Sequence, residues 1–530
     1  MGFKGKYLQI GKIIYGSNKV TGNRTQKVVL NTSITLMCQI VYLIVSFICR
    51  TVFTKTLGAE YLGISGLFSN ILTILNFAEL GIGSALVYRM YEPLAKQDYE
   101  TICEYMQLYK TTYRIIAIII LLIGFSLIPF IPLVVAAPDI KEDIVFLFVL
   151  YLLQTVTSYI CVYKKSILIA DQKSYLVNIY TQIFNIGMNI AQCVLLVVTH
   201  DFVIYCVLNI VFNLANNVIC SQRANKEYPY IKQRPNTKLN NDEIKGLIKD
   251  VKGLLMTKIA DTVLGGTDNI FIAAFIGIRY VGVLSNYTVF STIINSIMNK
   301  IFSAVTATIG NLVVTGEKNK TEAVLKKLFF LNTSMYGYLC LVMLCLLREF
   351  IVNIWLDAEY SISQTMIALI LIELFLRSIH YPLYIVRNAM GCFSEYKNLF
   401  VVAAVLNIIL DYVLIGPLGI NGLYLATIFC RGITYLVDIW VVYHQQLHLF
   451  MVDYLRMVFK WLVFLAGSGY VMSKVSAMIL ATGIANFIMR GVVISLIYFV
   501  LFFIIFCHSE EFKYYISLGR NLFLKKREDK

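Results

Sequence analysis

The sequence predicts an all-α polytopic membrane protein of about fourteen transmembrane helices, built as two pseudo-symmetric six-helix lobes with two extra C-terminal helices. Three observations support this prediction. Of 530 residues, 58% are hydrophobic and 15% are charged, and the mean hydropathy is +0.72. Apolar runs long enough to cross a bilayer recur along the whole chain. One short phrase in the first half returns at the corresponding place in the second half.

The composition argues against soluble classes of protein. A water-soluble fold of this length has too little interior to bury so much apolar surface. The net charge of +15 is attributed to basic cytoplasmic loops, so no nucleic-acid partner is expected. The 12 cysteines are scattered singly, which predicts neither a disulfide framework nor a metal site. The basic N-terminus lacks an apolar core followed by a cleavage site, which predicts that the first span is retained as an anchor.

The alternation of basic and neutral loops sets the predicted orientation. With both termini inside, the loops assigned to the cytoplasm contain about 31 Lys or Arg and the outer loops about 5. An even number of spans satisfies this asymmetry. The predicted segments are a basic N-terminus (1–27), an N-lobe of six spans (28–220), a basic linker (221–247), a C-lobe of six spans (248–446), spans thirteen and fourteen (447–507) and a basic tail (508–530).

The repeated phrase supports a duplicated architecture. LGAEYLG at 57–63 precedes the second span, and IGIRYVG at 276–282 precedes the eighth. Two repeats of six spans have the same topology, which predicts a pseudo-twofold axis along the membrane normal. Glu60 in the first copy is replaced by Arg279 in the second. These two residues are predicted to form an outer gate, the alternative being two solvated loop charges.

Ionisable residues at membrane depth are costly, so each one is a candidate for function. Arginines facing a cleft between two lobes suit a phosphate-bearing ligand, because a guanidinium engages phosphate oxygens bidentately. Carboxylates there suit coupling to Na⁺ or protons. Structural alternatives stay open: Glu373 and Arg377 as a pair on one helix, Arg50 reaching outward to the interface, and His380 as a packed histidine. The charged residues within predicted spans include Arg50, Glu79, Lys258, Asp261, Asp268, Glu373, Arg377, Asp411, Arg431 and Asp438.

Two long stretches carry a resemblance to a known family. Residues 50–98, beginning RTVFTKTLGAEYLGISG, resemble the N-terminal signature of the Wzx-like polysaccharide-biosynthesis flippases of the multidrug/oligosaccharidyl-lipid/polysaccharide exporter superfamily. TDNIFIAAFIGIRYVGVLSNYTVF (267–290) resembles the start of that family's second half. The resemblance implies a transporter with a central cationic cavity in the bacterial plasma membrane. It implies translocation of polyprenyl-pyrophosphate-linked oligosaccharide to the outer leaflet by ion-coupled alternating access.

The resemblance also implies roles for residues and partners. The partners are the lipid-linked oligosaccharide, the bilayer and polysaccharide assembly proteins, and no cofactor is expected beyond a coupling H⁺ or Na⁺. The alternatives are a multidrug or cation antiporter and, less favoured for want of a catalytic loop, a membrane polysaccharide polymerase. The residues expected to contact the pyrophosphate or line the cavity are Arg50, Lys258, Arg377 and Arg431. The residues expected to couple ions or gate are Glu79, Asp261, Asp268 and Glu373.

Overall fold

The computed structural model describes residues 24–76, 82–135, 138–171, 173–233, 235, 265–314, 318–389, 397–479 and 483–528. Within these residues the chain is helical, and 12 helices are long and apolar enough to cross a membrane. One of the 12 contains a break that divides it into two helices, and the described part of the seventh span is short. The all-α fold class with about fourteen spans is therefore confirmed.

The break replaces the first predicted loop. The helical segment Arg24–Leu75 is interrupted at Gly58, whose φ of 87° lies in the left-handed region that glycine adopts without strain. The segment is therefore two helices, α1 (24–57) and α2 (59–75). A turn was predicted within the LGAEYLG phrase. The turn consists of Gly58 alone, so α1 and α2 both extend further into the phrase than predicted.

The N-lobe continues with helices whose starts are readable in the sequence. Asp98, Asp143 and Asp201 each accept a hydrogen bond from a backbone N–H in the first turn of the helix that follows, which is the preferred N-cap chemistry. One of these helices, α6, is short, with six residues. The remaining N-lobe helices are α3 (Ile82–Lys96), α4 (Tyr99–Leu127), α5 (Ile144–Ser158), α6 (Lys165–Ala170), α7 (Ser174–Thr199) and α8 (Phe202–Glu227).

The C-lobe repeats this order. Gly277, with φ of 129°, separates its first two helices as Gly58 separates α1 and α2. The predicted tail contains a helix of its own. The C-terminal half consists of α9 (Asp268–Phe275), α10 (Ile278–Val314), α11 (Lys318–Glu349), α12 (Gln364–Ala389), α13 (Lys397–Leu418), α14 (Ile420–Trp440), α15 (Val452–Met478), α16 (Ile484–Phe506) and α17 (Glu510–Glu528).

The two copies of the phrase contact each other across the lobes. A Cβ added to Gly63 of α2 would lie 2.1 Å from the Ile278 carbonyl oxygen, and one added to Gly282 of α10 would lie 1.9 Å from the Ala59 carbonyl oxygen. The two contacts are reciprocal, because Ala59 and Gly63 hold the places in the first copy that Ile278 and Gly282 hold in the second. We call this end of the bundle, which is predicted to face outward, the glycine end.

A tryptophan adds a second contact between the lobes near the glycine end. After α11 the chain forms one π-helical turn, Phe350–Trp355. Trp355 Nε1 donates a hydrogen bond to Thr51 Oγ1 of α1 at 2.7 Å. Its ring stacks on Phe47 with the centroids 4.6 Å apart. The lobes are therefore in contact at this end through backbone as well as side chains.

The two extra helices belong to the C-lobe. Arg490 of α16 donates hydrogen bonds to Glu349 at the end of α11 and to Ser476 of α15. The side chains of Arg490 and Glu349 are 13% and 9% exposed, so the ion pair is largely shielded from solvent. Trp461 of α15 stacks on Phe506 of α16 with centroids 4.3 Å apart. These contacts attach α15 and α16 firmly to α11.

The opposite end of the N-lobe has a small polar cluster. Lys173, between α6 and α7, forms ion pairs with Asp171 and Glu227 and donates a hydrogen bond to the Tyr228 hydroxyl at 3.0 Å. Burial alone would raise the pKa of the Asp171 carboxyl, but hydrogen bonds from Lys173 and Tyr228 hold it below its ordinary value. This cluster connects α6, α7 and α8.

Candidate functional site: an arginine-lined cavity between the lobes

The first part of the site is a chamber of about 410 Å³ between α1, α7, α8 and α10, which we call the Arg50 chamber. Arg50 Nε donates to Asn286 Oδ1 at 3.1 Å and Nη2 donates to Ser285 Oγ at 2.7 Å. Arg50 is therefore held by α10 of the other lobe and does not reach outward to the interface. None of the described residues that line this chamber is Asp or Glu.

The second part is a chamber of about 570 Å³ lined by α10 to α14, which we call the Arg377 chamber. Thr292 and Ser296 line both chambers, so the two adjoin at α10. Within the part of the chain that the structure describes, this lining also contains no Asp or Glu. It contains amide and hydroxyl groups, aromatic rings and cationic side chains: Thr292, Asn295, Ser296, Asn299, Tyr336, Arg377, Ser378, His380, Tyr381, Tyr384, Arg387, Phe400 and Arg431.

Two of the three arginines in this chamber are neutralised. Arg387 Nη1 lies 2.6 Å from Asp438 Oδ1, and His380 contacts the other oxygen of the same carboxylate. Arg431 Nε lies 2.8 Å from Glu373 Oε1. Glu373 therefore pairs across helices with α14, and the pairing of Glu373 with Arg377 on one helix is not what forms. His380 is a packed, hydrogen-bonded histidine.

Arg377 differs from its neighbours. Its side chain is exposed to the chamber, and among the described residues no carboxylate lies within ion-pair distance of it. A cation in a membrane-embedded cavity is costly without a counter-charge. The Arg377 chamber therefore contains a cationic side chain that no described carboxylate balances, an arrangement that suits an anionic ligand.

A separate carboxylate cluster lies beside the cavity in the C-lobe. Thr427 Oγ1 is 3.3 Å from Asp268 Oδ1, and Asn407 Nδ2 is 3.3 Å from both Thr427 Oγ1 and Asp411 Oδ1. Asn407 and Asp411 are fully buried. Asp411 Oδ2 and Asn407 Oδ1 have no hydrogen-bond partner in the described part of the chain. Two acids, with spare oxygen acceptors on Asp411 and Asn407, form an arrangement suited to one proton or one Na⁺.

The remaining site predictions concern the charged pair Glu60 and Arg279 and three residues outside the described part of the chain. Arg279 Nη2 lies 2.8 Å from Glu359 Oε2, so Arg279 pairs with Glu359 rather than with Glu60 as expected. The reason is the π-helical turn after α11, which brings the following segment over the start of α10. The outer-gate role of Glu60 and Arg279 stays a prediction. Three predicted site residues lie outside the described part of the chain: Glu79, Lys258 and Asp261.

Several functional candidates were not found by sequence reasoning. Ser285 and Asn286, which hold Arg50, are polar residues without charge inside an apolar span. Tyr381 and Tyr384 are two of 35 tyrosines, and only their position in the fold singles them out. A signal was available for Asn407, since it precedes Asp411 by one helical turn and so shares its face.

The fold is similar to that of solved transporter structures, one of them titled as a member of the multidrug/oligosaccharidyl-lipid/polysaccharide (MOP) superfamily. The structure titled "Lipid II flippase MurJ, inward closed conformation" is similar with a TM-score of 0.59 at 16% identity, covering 90% of this chain and 99% of that chain. An inward-facing multidrug resistance MATE family transporter of the MOP superfamily gives a TM-score of 0.59 at 14% identity, covering 77% and 96%. A Vibrio cholerae MATE transporter gives 0.54 at 13%, covering 80% and 98%.

The family is shown by sequence. The family model described as "Polysaccharide biosynthesis protein" matches residues 28–307, more than half of the chain. The protein therefore belongs to the polysaccharide biosynthesis protein family. A comparison with curated proteins finds no match.

Proposed function

We propose that the protein is a flippase that moves a polyprenyl-pyrophosphate-linked oligosaccharide from the inner to the outer leaflet of the bacterial plasma membrane, with both termini in the cytoplasm. The single observation that carries the proposal is the pair of adjoining chambers, whose described lining residues include arginines and no Asp or Glu. The family and the similarity to a structure titled as a lipid II flippase support the same conclusion. Such a carrier supplies cell-surface polysaccharide assembly.

Arg50 is the residue we assign to the pyrophosphate. Its hydrogen bonds to Asn286 and Ser285 use Nε and Nη2, which leaves Nη1 for an incoming phosphate oxygen. Those bonds also fix the plane of the guanidinium, so little side-chain entropy is lost when phosphate binds. The apolar neighbours Phe47, Phe53 and Leu62 in the same chamber strengthen this interaction by lowering the local dielectric.

The carboxylate cluster is assigned to ion coupling. Asp268 and Asp411 both face Thr427 or Asn407 and are enclosed by α9, α13 and α14. Two carboxylates in one buried site cannot both stay ionised without a cation. Occupation by H⁺ or Na⁺ would therefore stabilise one arrangement of the C-lobe, and release of the ion would favour another. This difference is what couples the empty carrier's return to the ion gradient.

A cation antiporter is the alternative that one observation favours. The Asp268 and Asp411 cluster would suit an exchange of a cationic drug for an ion. The cavity itself, however, presents Arg50 and Arg377, which repel cationic substrates. The flippase accounts for both the cluster and the cavity lining, whereas the antiporter accounts only for the cluster.

The test is a flipping assay in proteoliposomes with a fluorescent polyprenyl-diphosphate oligosaccharide. Arg50→Gln is expected to lower the initial rate about 10-fold or more, since charged hydrogen bonds contribute about 1.5–3 kcal/mol. Arg456→Gln is the matched control, because the Arg456 side chain is 78% exposed and outside the cavity. Transport by Arg50→Gln at the wild-type rate would remove the assignment. Efflux of a cationic dye without any lipid transport would support the antiporter.

A second assay tests coupling. In the same vesicles an imposed proton or Na⁺ gradient is expected to stimulate the wild-type protein. Asp411→Asn should abolish this stimulation. The amide has the shape of the carboxylate, but it cannot bind and release a proton and has no negative charge to attract Na⁺. Asp453→Asn, at a side chain that is 67% exposed, serves as the control. Unchanged stimulation in Asp411→Asn would give the cluster a structural role.

A further inference from the structure

We propose that the Arg377 chamber binds an anionic group carried by the glycan, so that the preferred substrate is an acidic lipid-linked oligosaccharide. The inference rests on the proposed flippase function and adds the chemical class of the sugar. The group would be a sugar carboxylate, as in a uronic acid, or a phosphate on a sugar.

The first argument is separation along α10. Arg50 is held by Ser285 and Asn286, whereas the α10 residues that line the Arg377 chamber begin at Thr292 and end at Asn299. At about 1.5 Å of rise per residue these positions are roughly 9–21 Å apart along the helix axis. A diphosphate, whose two phosphorus atoms share one oxygen, is much shorter than this. One diphosphate therefore does not serve both chambers.

The second argument is charge. Arg387 is balanced by Asp438, and Arg431 by Glu373. Arg377 has no such acid among the described residues and is exposed to the chamber, as described above. If the diphosphate occupies the Arg50 chamber, the counter-charge for Arg377 must come from elsewhere on the substrate. The part of the substrate that remains is the glycan.

The third argument is the chemistry of the wall. Tyr381 and Tyr384 stack on each other, with centroids 6.1 Å apart and planes 21° apart, and both line the chamber. Flat aromatic rings of this kind pack against the apolar faces of sugar rings. Tyr336 donates to Asn295 Oδ1 at 2.8 Å, which orients the amide for hydrogen bonds to sugar hydroxyls. A wall of aromatic, amide and hydroxyl groups around one arginine therefore suits an acidic sugar better than a bare phosphate.

The experiment compares three substrates that share one polyprenyl diphosphate and differ in one sugar: neutral, uronic acid or sugar phosphate. Initial flipping rates are measured at concentrations below saturation. For the wild-type protein we expect at least one acidic substrate to be flipped about 10-fold faster than the neutral one. The faster of the two acidic substrates identifies the anion.

The variants test Arg377 itself, with the ratio of acidic to neutral rates as the readout. Arg377→Gln should bring the ratio close to one, and Arg377→Lys should retain most of it. Arg50→Gln should lower both rates and keep the ratio, and the exposed Arg456→Gln should change neither. A wild-type ratio near one, or a ratio unaltered by Arg377→Gln, would overturn the inference and leave the flippase intact. Failure of the wild-type protein to flip any of the three substrates would overturn both.

Discussion

The reciprocal contact at the glycine end gives the sharpest quantitative prediction. In Gly282→Ala the new methyl group would lie 1.9 Å from the Ala59 carbonyl oxygen and 3.0 Å from the Gly63 nitrogen. Both neighbours are backbone atoms, so no rotamer change relieves the clash. To reach ordinary contact, α2 and α10 must separate by roughly 1.5 Å, because carbon contacts are optimal near 3.5 Å or beyond. Closure of the glycine end is therefore penalised.

The free-energy penalty on closing the glycine end follows from the cost of overpacking, which is about 1–3 kcal/mol. A penalty of about 2 kcal/mol multiplies the ratio of open to closed molecules about 30-fold. If the open state has a population of about 1%, it rises to about a quarter. The mutation should thus favour opening of the glycine end without altering any residue that lines the cavity.

Thiol labelling measures this shift. Thr292→Cys, in a background without the native cysteines, reports access to both chambers. An impermeant maleimide added on the side of the glycine end should label Gly282→Ala about 20-fold faster than the parent, in proportion to the open population. Gly467→Ala is the control, since a Cβ there meets nothing within 4 Å. Equal labelling of Gly282→Ala and the parent, with both proteins folded, would refute the role of this contact in closure.

Three further predictions concern contacts between elements. Trp355→Phe keeps an aromatic ring but loses the hydrogen bond to Thr51. The loss should destabilise the closed state by about 1 kcal/mol and increase labelling about fivefold in the same assay. Arg490→Met leaves the carboxylate of Glu349 without its partner and should lower the free energy of unfolding by about 3–5 kcal/mol, seen as a lower thermal midpoint in detergent. Lys173→Met removes two half-buried ion pairs and should cost about 1–3 kcal/mol, measured in the same melt.

Controls for these variants come from exposed pairs. The Lys96 and Glu92 side chains are 70% and 75% exposed, so Lys96→Met should change stability by less than about 1 kcal/mol. If Lys96→Met and Lys173→Met lower the midpoint equally, the Lys173 cluster makes no special contribution. A midpoint unchanged in Arg490→Met would mean that α16 is held by apolar packing alone. Unchanged labelling in Trp355→Phe would leave closure to the backbone contact.

Much of the architecture was readable because it depends on periodic or repeated signals. Hydropathy predicted the class of fold, and the two copies of the glycine phrase predicted the two lobes. Gly58 and Gly277 show the reason: both adopt positive φ, so the residue type itself records the backbone conformation. Such local requirements are legible in one sequence.

The pairing of charges was less predictable, because it depends on which helices become neighbours. Glu373 and Arg377 lie one turn apart on α12, a spacing that favours their pairing. The fold instead places Arg431 of α14 against Glu373 and so leaves Arg377 in the chamber. Likewise Asp438 binds two side chains of α12. Trp355 donates a hydrogen bond to α1, which is distant from it in the sequence. Contacts across long sequence separations leave no periodic signal.

The reciprocal glycine contact has the geometry of an isologous interface, in which the same patch on two equivalent bodies meets itself. Here the two bodies are halves of one chain: Gly63 faces Ile278 while Gly282 faces Ala59. An interface of this kind is complete only when both copies keep a small residue, since enlarging either one separates the same pair of helices. At this contact the two halves are therefore constrained like the subunits of a homodimer. Unlike those subunits, each half has its own sequence and can be changed alone. That freedom lets the C-lobe carry the buried acids and the N-lobe carry Arg50 without losing the fit between them.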